Sequence, residues 1–114
     1  MTKYQEINSI QEWDRVFQQS SGQKTVIFKH STTCPVSARA WCEVQNFIRD
    51  DSSDVLVAMV KVIESRPVSN QIAKDLGVEH QSPQAIVLSN KKVQWHASHG
   101  AITQECIKEG ITLE

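Results

Sequence analysis

Residues 25–37 read TVIFKHSTTCPVS, an apolar β-branched run followed by a polar Ser/Thr turn and then by Cys34 and Pro35. Proline is favoured at the first position of a helix, because its missing N–H would have had no partner there. Pro35 therefore predicts a helix start, with Cys34 at the helix N-terminus. Unpaired N–H groups and the positive end of the helix dipole stabilise an anion at such a position and lower the pKa of a cysteine thiol. The pattern predicts a reactive thiolate at Cys34.

Two basic or titratable side chains stand just before the turn. Lys29 and His30 end the apolar run, and a positive charge on either would further favour a thiolate, so both are candidates for tuning the pKa of Cys34. The alternative is that Cys34 only fills space in the core, as many cysteines do. The succession of strand, polar turn, Cys-Pro and helix favours the reactive interpretation.

The chain on either side of this stretch alternates strand and helix patterns. Short β-branched or apolar runs predict strands, and apolar residues at helical spacing predict helices. The predicted strands are residues 3–7, 25–29, 55–62, 84–89 and 92–97, and the predicted helices are residues 10–21, 35–50, 67–76 and 104–110. The order is β-α-β-α-β-α-β-β-α. We expect one α/β domain over residues 1–114, with a central mixed sheet flanked by helices.

Composition and charge exclude several classes of function. The chain has 114 residues, a formal net charge of -1 and 39% hydrophobic residues, so we expect no basic surface for nucleic acid or an anionic membrane. The first nine residues lack a signal-peptide core, and the longest apolar run, Val55 to Val60, is too short to cross a membrane. Three cysteines, an odd number, fit a reducing cytosol better than a disulfide framework. We therefore expect a cytoplasmic protein.

The other two cysteines are weaker candidates for chemistry. Cys42 lies eight residues beyond Cys34, a rise of about 12 Å along a helix, which exceeds the roughly 7 Å between Cα atoms that a disulfide allows. We expect Cys42 to be partly exposed and Cys106 to lie in the core. The chain has no Cys-x-x-Cys and no His-x-x-x-His, and His96 with His99 is an isolated pair, so the spacing does not indicate a metal site.

The order of elements, the Cys-Pro at the start of the second helix and the X-Pro that opens the fourth strand resemble the thioredoxin superfamily. Within it, TTCP at residues 32–35 is similar to the active-site entry of glutaredoxins, but Ser37 occupies the position of their second cysteine, which makes the site monothiol. The segments that resemble the monothiol bacilliredoxins are STTCPVSA at 31–38, RPVSN at 66–70, SPQ at 82–84 and WHASH at 95–99. They extend across most of the chain between Lys29 and Thr103.

The resemblance to bacilliredoxins implies a thioredoxin-like fold and a reaction. It implies removal of bacillithiol from mixed disulfides on cytosolic proteins of low-GC Gram-positive bacteria. Cys34 would be the nucleophile, and bacillithiol would be a co-substrate, with no bound cofactor. The partners would be bacillithiolated proteins and a low-molecular-weight thiol that clears Cys34.

The same resemblance implies roles for the residues around Cys34. Thr33 and Val36 would contact the substrate at the active-site turn. Ser37 would hydrogen-bond either the thiolate or a backbone group of the first helical turn, and both roles are open. Pro83 would be a cis-proline against the turn, with the backbone of Ser82 pairing with the bound disulfide.

Two other functions remain open at this point. A thioredoxin-fold adaptor would use Cys34 only as a regulatory redox mark. A carrier of an iron–sulfur cluster, as some monothiol glutaredoxins are, would bridge the cluster between two subunits, although Pro35-Val36 replaces the Gly-Phe of those proteins. Glutathione and coenzyme A mixed disulfides are also chemically open, and the sequence does not determine the oligomeric state or the client proteins.

Overall fold

The computed structural model describes residues 2–50 and 54–112, which form a five-stranded sheet with two helices on each face. The strands are β1 (Lys3–Ile7), β2 (Thr25–His30), β3 (Leu56–Lys61), β4 (Gln84–Ser89) and β5 (Lys92–Ser98). The helices are α1 (Ile10–Gln19), α2 (Pro35–Asp50), α3 (Arg66–Leu76) and α4 (Gln104–Thr112), and a 3₁₀ turn (His99–Ala101) follows β5. The predicted order of strands and helices is confirmed.

β2 lies at the centre of the sheet and leads directly to Cys34. The strand order is β1-β3-β2-β4-β5, with β1, β3 and β2 parallel and with β4 antiparallel to β2 and β5. The predicted mixed sheet is therefore confirmed. Lys29 of β2 is opposite Gln84 of β4, so the end of β2 meets the start of β4. This register brings the loop before β4 beside the loop after β2.

Alternate residues of β2 face two separate cores, as the pleat of a strand requires. Val26 and Phe28 face α2 and α4, whereas Ile27 faces α1 and α3. All six residues of β2 are buried, as expected of a strand covered on both faces. The active-site turn therefore starts from a strand that is fixed from both sides.

Local signals account for several helix boundaries. The Ser9 hydroxyl caps α1 by accepting the N–H of Glu12 at 3.1 Å. The Thr103 hydroxyl caps α4 by accepting the N–H of Cys106 at 3.1 Å. Gly77 ends α3 in the left-handed conformation, with φ of 66°, which glycine adopts without a steric penalty.

A few boundaries differ from the prediction. α1 ends at Gln19, before Gly22, because the Ser20 hydroxyl donates to the Phe17 carbonyl at 2.6 Å and closes the last turn. β2 is one residue longer than predicted, β3 is one residue shorter at each end, and the 3₁₀ turn was not predicted. In the described part of the chain, no helix has both the length and the apolar character that a membrane span requires.

Candidate active site

Cys34 lies between the turn that follows β2 and the first residue of α2. Its N–H donates to the Ser31 carbonyl at 3.3 Å, and its carbonyl accepts the N–H of Ala38 at 2.9 Å, the first helical hydrogen bond of α2. Cys34 is therefore the N-cap residue, as Pro35 predicts. Helix geometry leaves the N–H groups of the first turn without intrahelical partners, so they are available to an anion beside the half-buried Cys34 sulfur.

Ser37 is fully buried in the first turn of α2, where a dithiol site would have its second cysteine. Its hydroxyl oxygen accepts the N–H of Ser31 at 2.9 Å and lies 2.7 Å from His30 Nδ1. Among the described residues, the hydroxyl proton of Ser37 has His30 Nδ1 as its acceptor, so we assign the hydroxyl as the donor to Nδ1, which puts the imidazole proton on Nε2. The bond to Ser31 corresponds to the backbone role, one of the two that the sequence left open for Ser37.

His30 packs in an aromatic cluster beside the turn. Its ring stacks on Phe28 and Trp41 at centroid distances of 5.6 and 5.8 Å, and Phe28 and Trp41 stack on each other at 5.7 Å. Burial is the main influence on the pKa of His30 and lowers it, while a nearby glutamate and lysine have smaller, opposing effects. Near neutral pH the imidazole is therefore uncharged, which suits an acceptor of the Ser37 proton. His30 contacts the turn by packing and hydrogen bonding.

Lys29 is not directed at Cys34. Because alternate residues of a strand face opposite sides, the Lys29 side chain lies on the face of β2 that packs against α1 and α3, away from α2. The side chain is fully buried, and its Nζ lies 3.1 Å from His80 Nδ1. Burial lowers the pKa of Lys29 from 10.5 to about 8. The expectation that Lys29 tunes the Cys34 thiol directly is therefore not supported by its position.

The loop that leads into β4 brings a cis-proline to the active-site turn. The Ser82–Pro83 peptide bond is cis, as the resemblance implies. Pro83 directly precedes β4, which pairs with β2, so Pro83 lies beside the end of β2 that continues to Cys34. The Pro83 carbonyl accepts the N–H of His99 at 3.0 Å, which joins the cis-proline loop to the 3₁₀ turn.

A groove of about 580 Å³ lies between α2 and the 3₁₀ turn. The residues that line it are Val36, Arg39, Ala40 and Glu43 of α2 and, on the other wall, His99, Gly100, Ile102 and Thr103. Sequence patterns did not indicate this groove, because an exposed arginine on a helix is ordinary and the 3₁₀ turn has no strong local signal. His99 has φ of 54°, in the left-handed region that non-glycine residues rarely adopt, and such positions are common at functional sites.

The three cysteines occupy different environments and are free thiols. Cys34 is half-buried, Cys42 is exposed on α2 as expected, and Cys106 is half-buried on α4, so the expectation of a core position for Cys106 is wrong. Among the described residues, no three His, Cys, Asp or Glu side chains are grouped as metal ligands would be.

Comparison with known proteins assigns a family to this arrangement. The sequence model described as monothiol bacilliredoxin BrxC matches residues 5–107. The chain belongs to the monothiol bacilliredoxin family. The bacilliredoxin match includes the Cys34 turn, the cis-proline loop and all residues that line the groove, so the three features described above lie within the region shared with the family.

Solved structures show the thioredoxin fold of this bacilliredoxin. A thioredoxin-fold protein that is provisionally classed as an oxidoreductase is 29% identical, with a TM-score of 0.85 over 95% of this chain and 93% of that one. Thioredoxin from Fasciola hepatica is 14% identical, with a TM-score of 0.75 over 95% and 96% of the two chains. Mitochondrial thioredoxin 3 from Saccharomyces cerevisiae is 15% identical, with a TM-score of 0.73 over 95% and 92%. Family and fold together support a thiol redox role.

Proposed function

We propose that this bacilliredoxin is a monothiol oxidoreductase that removes bacillithiol, or a similar small thiol, from mixed disulfides on cytosolic proteins. The observation that carries the proposal is the placement of Cys34 at the N-cap of α2, beside cis-Pro83, with a buried Ser37 in place of a second thiol. A disulfide that enters this site meets a single nucleophile. Its partners are bacillithiolated proteins and a low-molecular-weight thiol, and the chemistry needs no resident cofactor.

The first step is a thiol–disulfide exchange at the sulfur of the small thiol. The Cys34 thiolate forms a bond to that sulfur, the bond between the small thiol and the client protein breaks, and the client leaves as a thiolate that takes a proton from water. One disulfide replaces another, so no net oxidation occurs. A second molecule of the low-molecular-weight thiol then attacks the adduct, which frees Cys34 and yields the disulfide of the small thiol.

The surrounding residues have distinct roles in this proposal. The N–H groups of the first turn of α2 stabilise the Cys34 thiolate, both before attack and when it leaves the adduct. Thr33 and Val36, which are both exposed, contact the substrate at the mouth of the site. The backbone of Ser82 pairs with the disulfide as it enters. Ser37 keeps the turn in shape through its bonds to neighbouring residues.

The test follows release of bacillithiol from a bacillithiolated model protein by mass spectrometry. Wild-type protein is expected to release the small thiol and to carry a Cys34 adduct. Cys34→Ala is expected to abolish release, because no other thiol lies at the N-cap of α2. Cys42→Ala is the matched control, since Cys42 is an exposed cysteine on the same helix, and it is expected to keep wild-type release.

Three results would contradict the proposal. They are no release by the wild-type protein, release that does not depend on Cys34, and an adduct found on Cys42 alone. Unchanged partner binding by Cys34→Ala, without turnover by the wild type, would favour the adaptor function. Visible absorbance of a dimer purified without oxygen would favour the cluster carrier.

A further inference from the structure

The groove between α2 and the 3₁₀ turn begins at Val36, two residues after Cys34, and follows α2 away from the active-site turn. Val36, Ala40 and Glu43 follow one another on one face of α2, and this spacing makes the wall about 10 Å long. On the other wall, the bond from the His99 N–H to the Pro83 carbonyl keeps the mouth of the groove beside the cis-proline loop. A small thiol joined to Cys34 through a disulfide therefore has this groove beside it.

Arg39 brings a positive charge to this groove, and it has no ion-pair partner among residues 2–50 and 54–112. The ion pairs in that part of the chain lie at the end of α2 and between β1 and β3. Glu43, one turn further along α2, also lines the groove, but its Oε1 accepts the N–H of Gln104 at 2.8 Å. Gln104 is the first residue of α4, so the positive end of that helix dipole partly offsets the Glu43 charge. Arg39 is therefore the charged group that remains for a ligand.

We propose that the groove binds the body of the small thiol and that Arg39 pairs with a carboxylate on it. This inference rests on the proposed function and names its substrate class: a low-molecular-weight thiol with at least one carboxylate, such as bacillithiol with its malate group. A planar guanidinium donates two parallel N–H bonds to one carboxylate, so it supplies direction as well as charge. Val36, 46% exposed at the mouth, offers an apolar contact to the carbon atoms next to the reacting sulfur.

The test compares two mixed disulfides on one model protein, one formed with bacillithiol and one with its dimethyl ester. The two small thiols share a skeleton and differ in the charge that Arg39 would recognise. For the wild-type protein, kcat/KM is expected to be roughly three- to tenfold higher for the acid than for the ester, mainly through KM, as for a partly exposed charged pair. Arg39→Gln is expected to bring this ratio close to one.

Two further variants separate the Arg39 contact from general effects of charge. Arg49→Gln removes the same charge from the far end of α2 and is expected to keep the wild-type ratio. Arg39→Lys keeps the charge without the planar guanidinium. Its ratio of kcat/KM for the acid to that for the ester is expected to lie between the ratios of the wild type and Arg39→Gln. A circular dichroism spectrum of each variant confirms folding before the ratios are compared.

The outcomes distinguish this inference from the proposed function. If the wild-type protein releases neither small thiol, the proposed function fails and the inference fails with it. If both are released with equal kcat/KM, or if Arg39→Gln keeps the preference for the acid, the groove inference alone is overturned. Loss of the ratio in Arg49→Gln as well would overturn it too, because the effect would then come from net charge.

Discussion

At the scale of single residues, Ser37 links the monothiol character of the site to the shape of its turn. The buried hydroxyl accepts the N–H of Ser31 and bonds His30 Nδ1, so one oxygen satisfies two groups of the chain that precedes Cys34. A thiol is a weaker donor and a weaker acceptor than a hydroxyl. Serine at this position therefore removes a resolving thiol and at the same time holds the turn more firmly than cysteine would.

We predict that Ser37→Ala lowers the free energy of unfolding by about 1–3 kcal/mol, because it leaves the Ser31 N–H and His30 Nδ1 without their partner in a buried site. Urea unfolding followed by circular dichroism measures this difference. Ser21→Ala is the matched control, since Ser21 is exposed, and it is expected to change stability by less than about 0.5 kcal/mol. Equal stabilities of the two variants would show that the Ser37 hydrogen bonds do not stabilise the fold.

At the scale of helices and strands, the sequence predicts the elements well wherever a local signal marks them. Pro35 marks the start of α2 and Gly77 the end of α3, and both act through backbone geometry that needs no distant partner. The 3₁₀ turn has no such signal, because its position depends on the bond between His99 and the distant Pro83. The groove therefore follows from tertiary contacts and could not be derived from local patterns.

The burial of Lys29 illustrates the same limit. Lysine is almost never fully buried without a partner, and the sequence placed Lys29 at the end of a strand as a candidate for tuning the pKa of Cys34. In the structure β2 continues to His30, Lys29 lies in the middle of the sheet between β3 and β4, and its side chain is buried on the face that packs against α1 and α3. Only the three-dimensional arrangement shows that its partner is His80, 51 residues further along the chain.

The contact between α4 and β5 depends on a glycine. A Cβ atom on Gly110 would lie 2.7 Å from the Trp95 ring, closer than side-chain carbons approach one another, and the ring atoms concerned are not at the free end of the side chain. We predict that Gly110→Ala destabilises the protein, because overpacking typically costs about 1–3 kcal/mol, whereas the gain in helix propensity is at most about 1 kcal/mol. Thermal unfolding measures the net effect.

Gly22→Ala is the control for that substitution, since a Cβ on Gly22 would have no atom within 4 Å. It is expected to leave the melting temperature close to that of the wild type. A Gly110→Ala protein as stable as the Gly22→Ala protein would show that Trp95 moves aside without cost.

At the scale of the whole molecule, the sheet separates the thiol site around Cys34 from a buried pair of titratable side chains, Lys29 and His80. The face that packs against α2 and α4 carries the residues around Cys34, and the opposite face encloses the Lys29 amine next to His80. Burial lowers the pKa of both Lys29 and His80, and the nearby charges of Lys29 and Arg66 lower the pKa of His80 further. Burying the Lys29 charge therefore destabilises the folded state, and among the described residues no carboxylate pairs with the amine to offset this cost.

This cost predicts how stability changes with pH. The Lys29 amine loses its proton near pH 8 in the folded state but near pH 10.5 in the unfolded state, so the unfolded state binds more protons between these values and stability rises with pH across that window. Below about pH 8 both states are protonated and the cost is constant, on the order of 3 kcal/mol from a shift of this size. Lys29→Met keeps the volume of the side chain without its charge.

We therefore expect Lys29→Met to be more stable than the wild type at neutral pH by about 1–3 kcal/mol, as when buried charged groups are replaced by apolar ones of similar size. The advantage should shrink as the pH rises from 8 towards 10.5, where the wild-type amine becomes neutral. Urea unfolding at a series of pH values measures the difference, with Lys74→Met, at an exposed position of α3, as the control. A difference that does not depend on pH, or a variant less stable than the wild type, would show that Lys29 is held by interactions that outweigh the cost of burying its charge.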